Sequence, residues 1–454
     1  MDTRHYTPKD LARTVFSELK SRKLGHPRLN ILISLFESLY AASLHSEESR
    51  PITFDIVYLN PKDPDPDPPP IIRAHRWKHV RLSAPLPLTV ANLIKISKAS
   101  DPRTSSLAVY HHNESNKLYL WGLVDHGIQY YDFLNYDSDQ GVLRPGLFQV
   151  GILGTGYLAV SIGYERITEL RIDNLVLKSL DVFYYGPIKQ RLTPGIQTYL
   201  RNTRASLPAP LRKLCSVWEH TLIYDWTSTL QRLLLRIQTY RHGGAFVITT
   251  QRSPTGLNIK YQLPYRRLQT AIATRAHLTI RSRHFFEKTS AYMGAKADEL
   301  PMDVYLDESI TNGQKRDSDS EVDGAIWFVS LLTRVDGLVL MDPSLRVRGF
   351  GAEIIYDEEP KGVFVAGDRN GSRHLLRRAD YNHYGTRHRS MMRYCAQVPG
   401  SLGFIVSQDG DVRIMTQVRG HLVMWEDIKL QVPYFVNQSY CHHCGRPKHP
   451  EKHH

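Results

Sequence analysis

Apolar side chains recur every three or four positions in two stretches near the start of the chain: Leu11, Val15, Phe16 and Leu19, then Leu29, Ile31, Leu32, Leu35, Phe36 and Leu39. That period puts one apolar stripe on an α-helix, and Pro8, Gly25 and Pro27 punctuate two helices within residues 8–46. The pattern then shortens. Ile52 to Tyr58 reads as a strand, and the following Pro61–Pro70, with six prolines in ten residues, lacks the N–H groups that a ladder or helix needs. It is expected to be an extended surface loop. From Leu107 to Val182 the runs are short and β-rich: Leu107–Tyr110, Lys117–Val124, Leu147–Val150, Tyr157–Ile162 and Ile167–Ile172. Asn113–Asn116 predicts a hairpin turn between the first two, and glycines separate the rest, so a mainly antiparallel sheet is expected.

Pro194, Pro208 and Pro210 suggest a junction and a domain boundary near 190–212. Beyond it, Leu211–Tyr240 reads as helix, Ala245–Ile248 as a buried strand, and the polar Lys315–Ser320 as a loop. Ala325–Leu332 predicts a buried helix, and Gly337–Met341 a core strand entered at Asp336. Strands at Arg346–Gly351 and Gly403–Ser407 flank a helix at His388–Gln397. The fold class implied is α/β of the α+β kind: an N-terminal domain over 1–200 with helices then antiparallel strands, a mixed sheet flanked by helices over 211–435, and a Cys/His-rich tail at 436–454.

Length and composition fit that division. The chain has 454 residues, 41% hydrophobic and 23% charged, which suits two or three globular domains. No run approaches the roughly 18 apolar residues of a membrane span, and the N-terminus has no apolar stretch of the secretory kind. A cytoplasmic protein without membrane contact is expected. Four cysteines are too few for a disulfide framework. The net charge of +13 favours anionic partners such as nucleotides. The basic residues are scattered and not interleaved with aromatic ones, which makes a nucleic-acid-binding protein the weakest of three function classes.

Three places carry candidate chemistry. Gly385-Thr386-Arg387-His388-Arg389 puts a glycine and a threonine before three cationic or ionisable side chains where a helix should begin. Free N–H groups, the helix dipole and guanidinium donors together favour phosphate there; a solvated basic helix start with Thr386 as N-cap has the same residues. Asp336-Gly337 stands at a strand start, where a carboxylate can reach a divalent metal or a ribose hydroxyl and glycine admits a ligand to the backbone; Asp-Gly also makes simple turns. Asp323-Gly324 repeats the dipeptide and is read as structural. In the tail, Cys441, Cys444, His449 and His453 have the spacing C-x2-C-x4-H-x3-H, with His454 as an alternative last ligand, which can close a tetrahedral zinc site or simply end the chain in histidines.

Taken together, Asp336-Gly337-Leu338 resembles the DGA motif of diadenylate cyclases, Gly385–Arg389 resembles their RHR motif, and Ser401–Gly410 resembles their strand leading into Ser407 and polar or acidic residues. Leu120–Asp125, His242-Gly243-Gly244 and Arg348–Glu353 are similar to the DACNV-type probable sensor branch. The resemblance implies that Asp336 binds Mg or Mn, that Gly337, Leu338, Gly385, Thr386 and Ser407 line a nucleotide, and that Arg387, His388 and Arg389 hold phosphates. Asp336, Arg387 and His388 would then be the catalytic residues of an active enzyme, which makes cyclic di-AMP from two ATP in a face-to-face homodimer. Leu338 in place of alanine and Gln408 in place of an acid depart from the pattern. The expectation is a sensor binding ATP or a cyclic dinucleotide and passing that state to an effector protein of a signalling or defence system; an active cyclase is the alternative.

Overall fold

A computed structural model of the chain describes residues 5–21, 27–47, 50–62, 78–126, 147–162, 165–176, 180–240, 242–293, 301–408 and 410–430. Two compact units divide at Ser179 and Leu180. The class is α+β, with nine α-helices and two large mixed sheets among the described residues.

The N-terminal unit opens with α1 (Pro8–Ser21) and α2 (Leu29–Ser43), as the periodicity requires. Short β1 (Ser46–Glu47) and β2 (Arg50–Pro51) pair with each other. Then come β3 (Phe54–Tyr58), β4 (Lys78–Pro87), α3 (Val90–Ser97), β5 (Ser105–His112), β6 (Lys117–Asp125), β7 (Phe148–Gly154), β8 (Tyr157–Ile162), β9 (Glu165–Arg171) and β10 (Asn174–Val176). Their eight-stranded sheet has the order β10-β9-β8-β7-β3-β5-β6-β4. Only β3 and β5 run parallel; every other neighbouring pair is antiparallel. Alternate residues Phe54 and Ile56, Leu107 and Val109, and Val150 and Ile152 lie fully buried in one core with Leu11, Val15, Leu32 and Phe36 of the helices. Each such side chain contributes about 1.5–3 kcal/mol on burial. The turn at Asn113–Asn116 joins β5 to β6, with Asn116 at φ 50°, a conformation asparagine tolerates. Of the proline-rich loop, Asp63–Pro70 lies outside the described residues.

The second unit begins with α4 (Gly186–Ser206), which takes Pro194 into its interior. The junction read from the prolines near 190–212 therefore falls on a helix and the turn after it, and the units part earlier, at residue 179. The helix spans Pro194 because Ile188, Leu192, Ile196 and Tyr199 on either side of it are held in the core. After α5 (Arg212–Val217) and α6 (Glu219–Thr239) come β11 (Gly244–Ile248), β12 (Leu257–Tyr265), α7 (Arg267–Met293) and α8 (Met302–Leu332). The predicted loop at Lys315–Ser320 is instead the middle of α8. Its polar residues are bound to neighbours within helical reach: Lys315 pairs with Asp319 at 3.2 Å, and Arg275 of α7 reaches Asp319 at 2.8 Å. Asp323 pairs with Arg232 of α6, the structural role expected for it.

The remaining elements are β13 (Leu338–Met341), β14 (Val347–Ile354), β15 (Val363–Ala366), β16 (Leu376–Ala379), α9 (Thr386–Gln397), β17 (Leu402–Val406), β18 (Val412–Val418) and β19 (His421–Trp425). The nine-stranded sheet runs β12-β14-β13-β11-β17-β18-β19-β15-β16. One face carries Phe246, Val339, Phe404 and Ile414 into a core with α4, α6, α7 and α8, where Phe246 and Phe404 stack at 4.4 Å. The opposite face carries Ala245, Leu338, Ile405 and Met415 under α9. That helix settles on β17 at Gly403, where Met391 and Cys395 occupy the space a side chain would need.

Candidate functional site

Strand register brings the scattered sequence motifs to one end of the second sheet. β13 lies parallel to β11 with Val339 opposite Phe246, which puts Gly337 level with Gly244. β17 is antiparallel to β11 with Val406 opposite Gly244, and β18 follows with Val412 opposite Val406. Asp336 at the entry of β13, His242-Gly243 at the entry of β11, Ser407 leaving β17 and Arg413 on β18 thus share an edge. Three strand spacings separate β13 from β18, about 14 Å. The N-terminus of α9 overlooks the same edge.

Gly385 is the N-cap of α9, at φ −64° and ψ 164°, so Thr386 is the first helical residue and not the cap its hydroxyl suggested. Gly385 and Thr386 are exposed, and the three residues after them are partly buried. The Arg387 guanidinium crosses to β11: its Nη1 would lie 2.6 Å from a Cβ at Gly243, with the Val406 carbonyl oxygen at 2.9 Å. Gly243 holds φ +72°, so only glycine gives Arg387 this seat at no conformational cost. Arg389 lies on the same turn with its Nε buried and without a hydrogen-bond partner. The first turn of the helix thus carries two guanidiniums, neither in an ion pair among the described residues, beside the positive end of the helix dipole.

His388 differs from its neighbours. Its Nε2 lies 3.2 Å from Nη1 of Arg413, and its ring is 5.8 Å from that of Tyr384. Burial, then the charges of Arg413 and Arg387, push its pKa down to about 4, with Asp411 opposing them. The imidazole is therefore neutral at physiological pH, and the three cationic or ionisable side chains of the motif are two cations and a neutral ring. Arg413 is held in turn by Glu426 at 2.7 Å and Asp411 at 3.5 Å. Burial and Glu426 raise the Tyr384 hydroxyl to about 12, so it stays protonated.

Asp336 is exposed, and its carboxylate acts at a distance on Lys260, whose ammonium pairs with Glu353 at 2.6 Å. Gly337 takes φ +108°, and a Cβ there would sit 2.6 Å from the Gly351 carbonyl carbon and 2.8 Å from the Ala352 oxygen. Leu338 is a core residue, 4% exposed, facing the α9 side. Ser407 shapes the β17–β18 turn: its Oγ accepts from the Asp411 N–H at 3.0 Å, and its own N–H donates to the Asp411 carbonyl at 2.8 Å. Asp409 lies outside the described residues, as do Cys441, Cys444, His449, His453 and His454.

Among the described residues no group of three or more His, Cys, Asp or Glu could hold a metal ion. A lone exposed carboxylate such as Asp336 fits Mg or Mn that arrives on nucleotide phosphates and keeps most of its water, which needs only one or two protein carboxylates. Arg413 and Glu426 were not singled out from sequence. The signal for them was an arginine inside the otherwise apolar Val412–Met415 run, and it acquires meaning only when β18 is set beside α9.

No helix among the described residues is long and apolar enough to cross a membrane. No curated protein and no solved structure matches the chain. A family model does match: residues 22–125, a stretch of the N-terminal unit that includes the Leu120–Asp125 string and ends with β6, correspond to the probable sensor domain DACNV.

Proposed function

We propose that the second unit binds a phosphate-bearing nucleotide, ATP or a cyclic dinucleotide, at the sheet edge beneath the N-terminus of α9, and that the chain acts as a sensor of it. The observation that carries this reading is the pair Arg387 and Arg389. Each is partly buried beside a helix N-terminus, neither forms an ion pair among the described residues, and Arg387 is seated on Gly243 at the sheet edge. Uncompensated guanidiniums in such a place gain most from an anionic ligand. The DACNV match, over residues 22–125 of the first unit, supports a sensing role for the chain.

A cyclase activity, giving cyclic di-AMP in a face-to-face homodimer, is favoured by one further observation: the Asp336 carboxylate stands exposed at the same edge. Bound with the nucleotide, Mg or Mn would neutralise phosphate charge there.

Calorimetry with ATP and cyclic di-AMP on the whole chain tests the reading. Replacing both Arg387 and Arg389 by Ala should remove about 1.5–3 kcal/mol for each charged hydrogen bond lost, at least a tenfold weakening. Unchanged affinity in a folded double variant would end the assignment. Incubation with ATP and manganese, followed by a search for cyclic di-AMP, separates the enzyme from the sensor.

A further inference from the structure

We propose that Arg413, braced by Glu426, is a positioning residue that fixes His388 with its proton on Nδ1, so that the ring meets the nucleotide as a neutral hydrogen-bond donor. The proposal deepens the nucleotide reading of this site, but its first half stands on the ligand-free molecule.

A guanidinium has five N–H donors and no acceptor. Its Nη1 lies 3.2 Å from Nε2 of His388, so Nε2 must be the accepting, unprotonated nitrogen. In a neutral imidazole the proton is then on Nδ1. Arg413 is fixed for this task. Nε donates to Glu426 at 2.7 Å, Asp411 lies 3.5 Å from Nη2, and the guanidinium carbon sits 5.9 Å from the centre of the Tyr384 ring. Strand register explains the aim: Arg413 pairs with Ile405, whose side chain lies on the α9 face of the sheet, so Arg413 rises toward the first turn of α9.

The functional consequence concerns charge. Were His388 protonated, the first turn of α9 would hold three adjacent cations and would repel itself whenever the ligand left. With Arg413 capping Nε2, the helix keeps two guanidiniums for phosphate and one directional N–H for an oxygen or ring nitrogen of the ligand. The groups facing His388 from the surrounding elements are Arg387 on its own helix, Tyr384 before it, and Arg413 and Asp411 from β18 and the turn ahead of it. A proton on Nε2 would point straight at the Arg413 guanidinium.

Nitrogen-15 spectra of histidine-labelled whole chain at pH 7 read the tautomer directly, with the His388 signals assigned by their loss in His388→Gln. A pyrrole-type Nδ1 and a pyridine-type Nε2 are expected. The reverse pattern, or a doubly protonated ring, overturns the proposal. In Arg413→Met the fixed pattern should give way to a mixture of tautomers or to Nε2–H; an unchanged Nδ1–H pattern in the folded variant overturns the role of Arg413. Glu426→Gln, which leaves the donor and loosens its brace, should show a partial loss of the Nδ1–H form if Arg413→Met does not fold. Adding ATP with magnesium to the wild-type chain should then shift the Nδ1–H resonance. ATP binding by calorimetry with that resonance unmoved would remove the ring from the ligand site while leaving the nucleotide reading in place. No binding of either nucleotide would end the nucleotide reading and the ring's part in it, with the tautomer still standing on the spectrum.

Discussion

Replacing Gly337 by alanine separates two reasons for a glycine at the candidate site. The resemblance to a nucleotide-binding motif gives Gly337 to a ligand, whereas its surroundings give it to the fold. The φ of +108° lies where a side chain is strained, costing about 1–3 kcal/mol. The new methyl would also stand 2.6 Å from the Gly351 carbonyl carbon and 2.8 Å from the Ala352 oxygen. Both are backbone atoms of β14, which pairs with β13 through Leu338 and Ala352, so no rotamer change relieves the contact. Overpacking of this kind adds about 1–3 kcal/mol, giving about 2–6 kcal/mol in all. Gly385→Ala is the matched control at the other motif. Its φ is an ordinary −64°, nothing lies within 4 Å of a Cβ there, and the cap exchange costs about 1 kcal/mol or less. Urea unfolding should move the midpoint strongly for Gly337→Ala and hardly for Gly385→Ala. Calorimetry with ATP should show the converse for Gly385→Ala, with affinity lowered about tenfold, the equivalent of 1.4 kcal/mol. A Gly337→Ala protein as stable as wild type would refute the packing account, and a Gly385→Ala protein of unchanged affinity would place the phosphate elsewhere.

Two further predictions concern stability. The His388 imidazole takes up a proton near 6.5 in the unfolded chain but only at about 4 in the folded one, so between those values the unfolded state holds more protons. Stability should therefore fall as pH drops from 6.5 to 4, by about 1–2 kcal/mol once partial solvent access is counted, with no contribution from this ring above that window; parallel pH profiles for wild type and His388→Gln would show the account to be mistaken. In the helical layer, Arg275 is buried between Asp319 at 2.8 Å and Asp225 at 3.9 Å, and Arg275→Met should cost about 3 kcal/mol by removing the buried cation that both carboxylates share, with Lys315 still 3.2 Å from Asp319. A thermal midpoint within a degree of wild type would mean that solvent or another side chain already neutralises them.

What the sequence determined by itself was local. The 3.6-residue period of Leu11 to Leu39 set two helices, alternation and turn residues set β5 through β9, and the apolar run at Ala245 set β11, because each signal depends on neighbours along the chain. Long polar helices were hidden from that logic. Lys315–Ser320 reads as a loop until α7 supplies Arg275, and Pro194 reads as a break until the core holds both sides of its helix. The candidate site divided the same way. Gly385–Arg389 and Asp336-Gly337 announced themselves by residue type, yet the register of β13 and β11 set Gly337 level with Gly244, and the packing of α9 set Arg387 against Gly243. Only the tertiary structure could neutralise His388, since the burial that does most of it comes with packing, and Arg413, which adds to it, lies 25 residues away in sequence and reaches the ring from another strand. A pKa depends on what surrounds a side chain in space, and so does the choice of which imidazole nitrogen carries the proton.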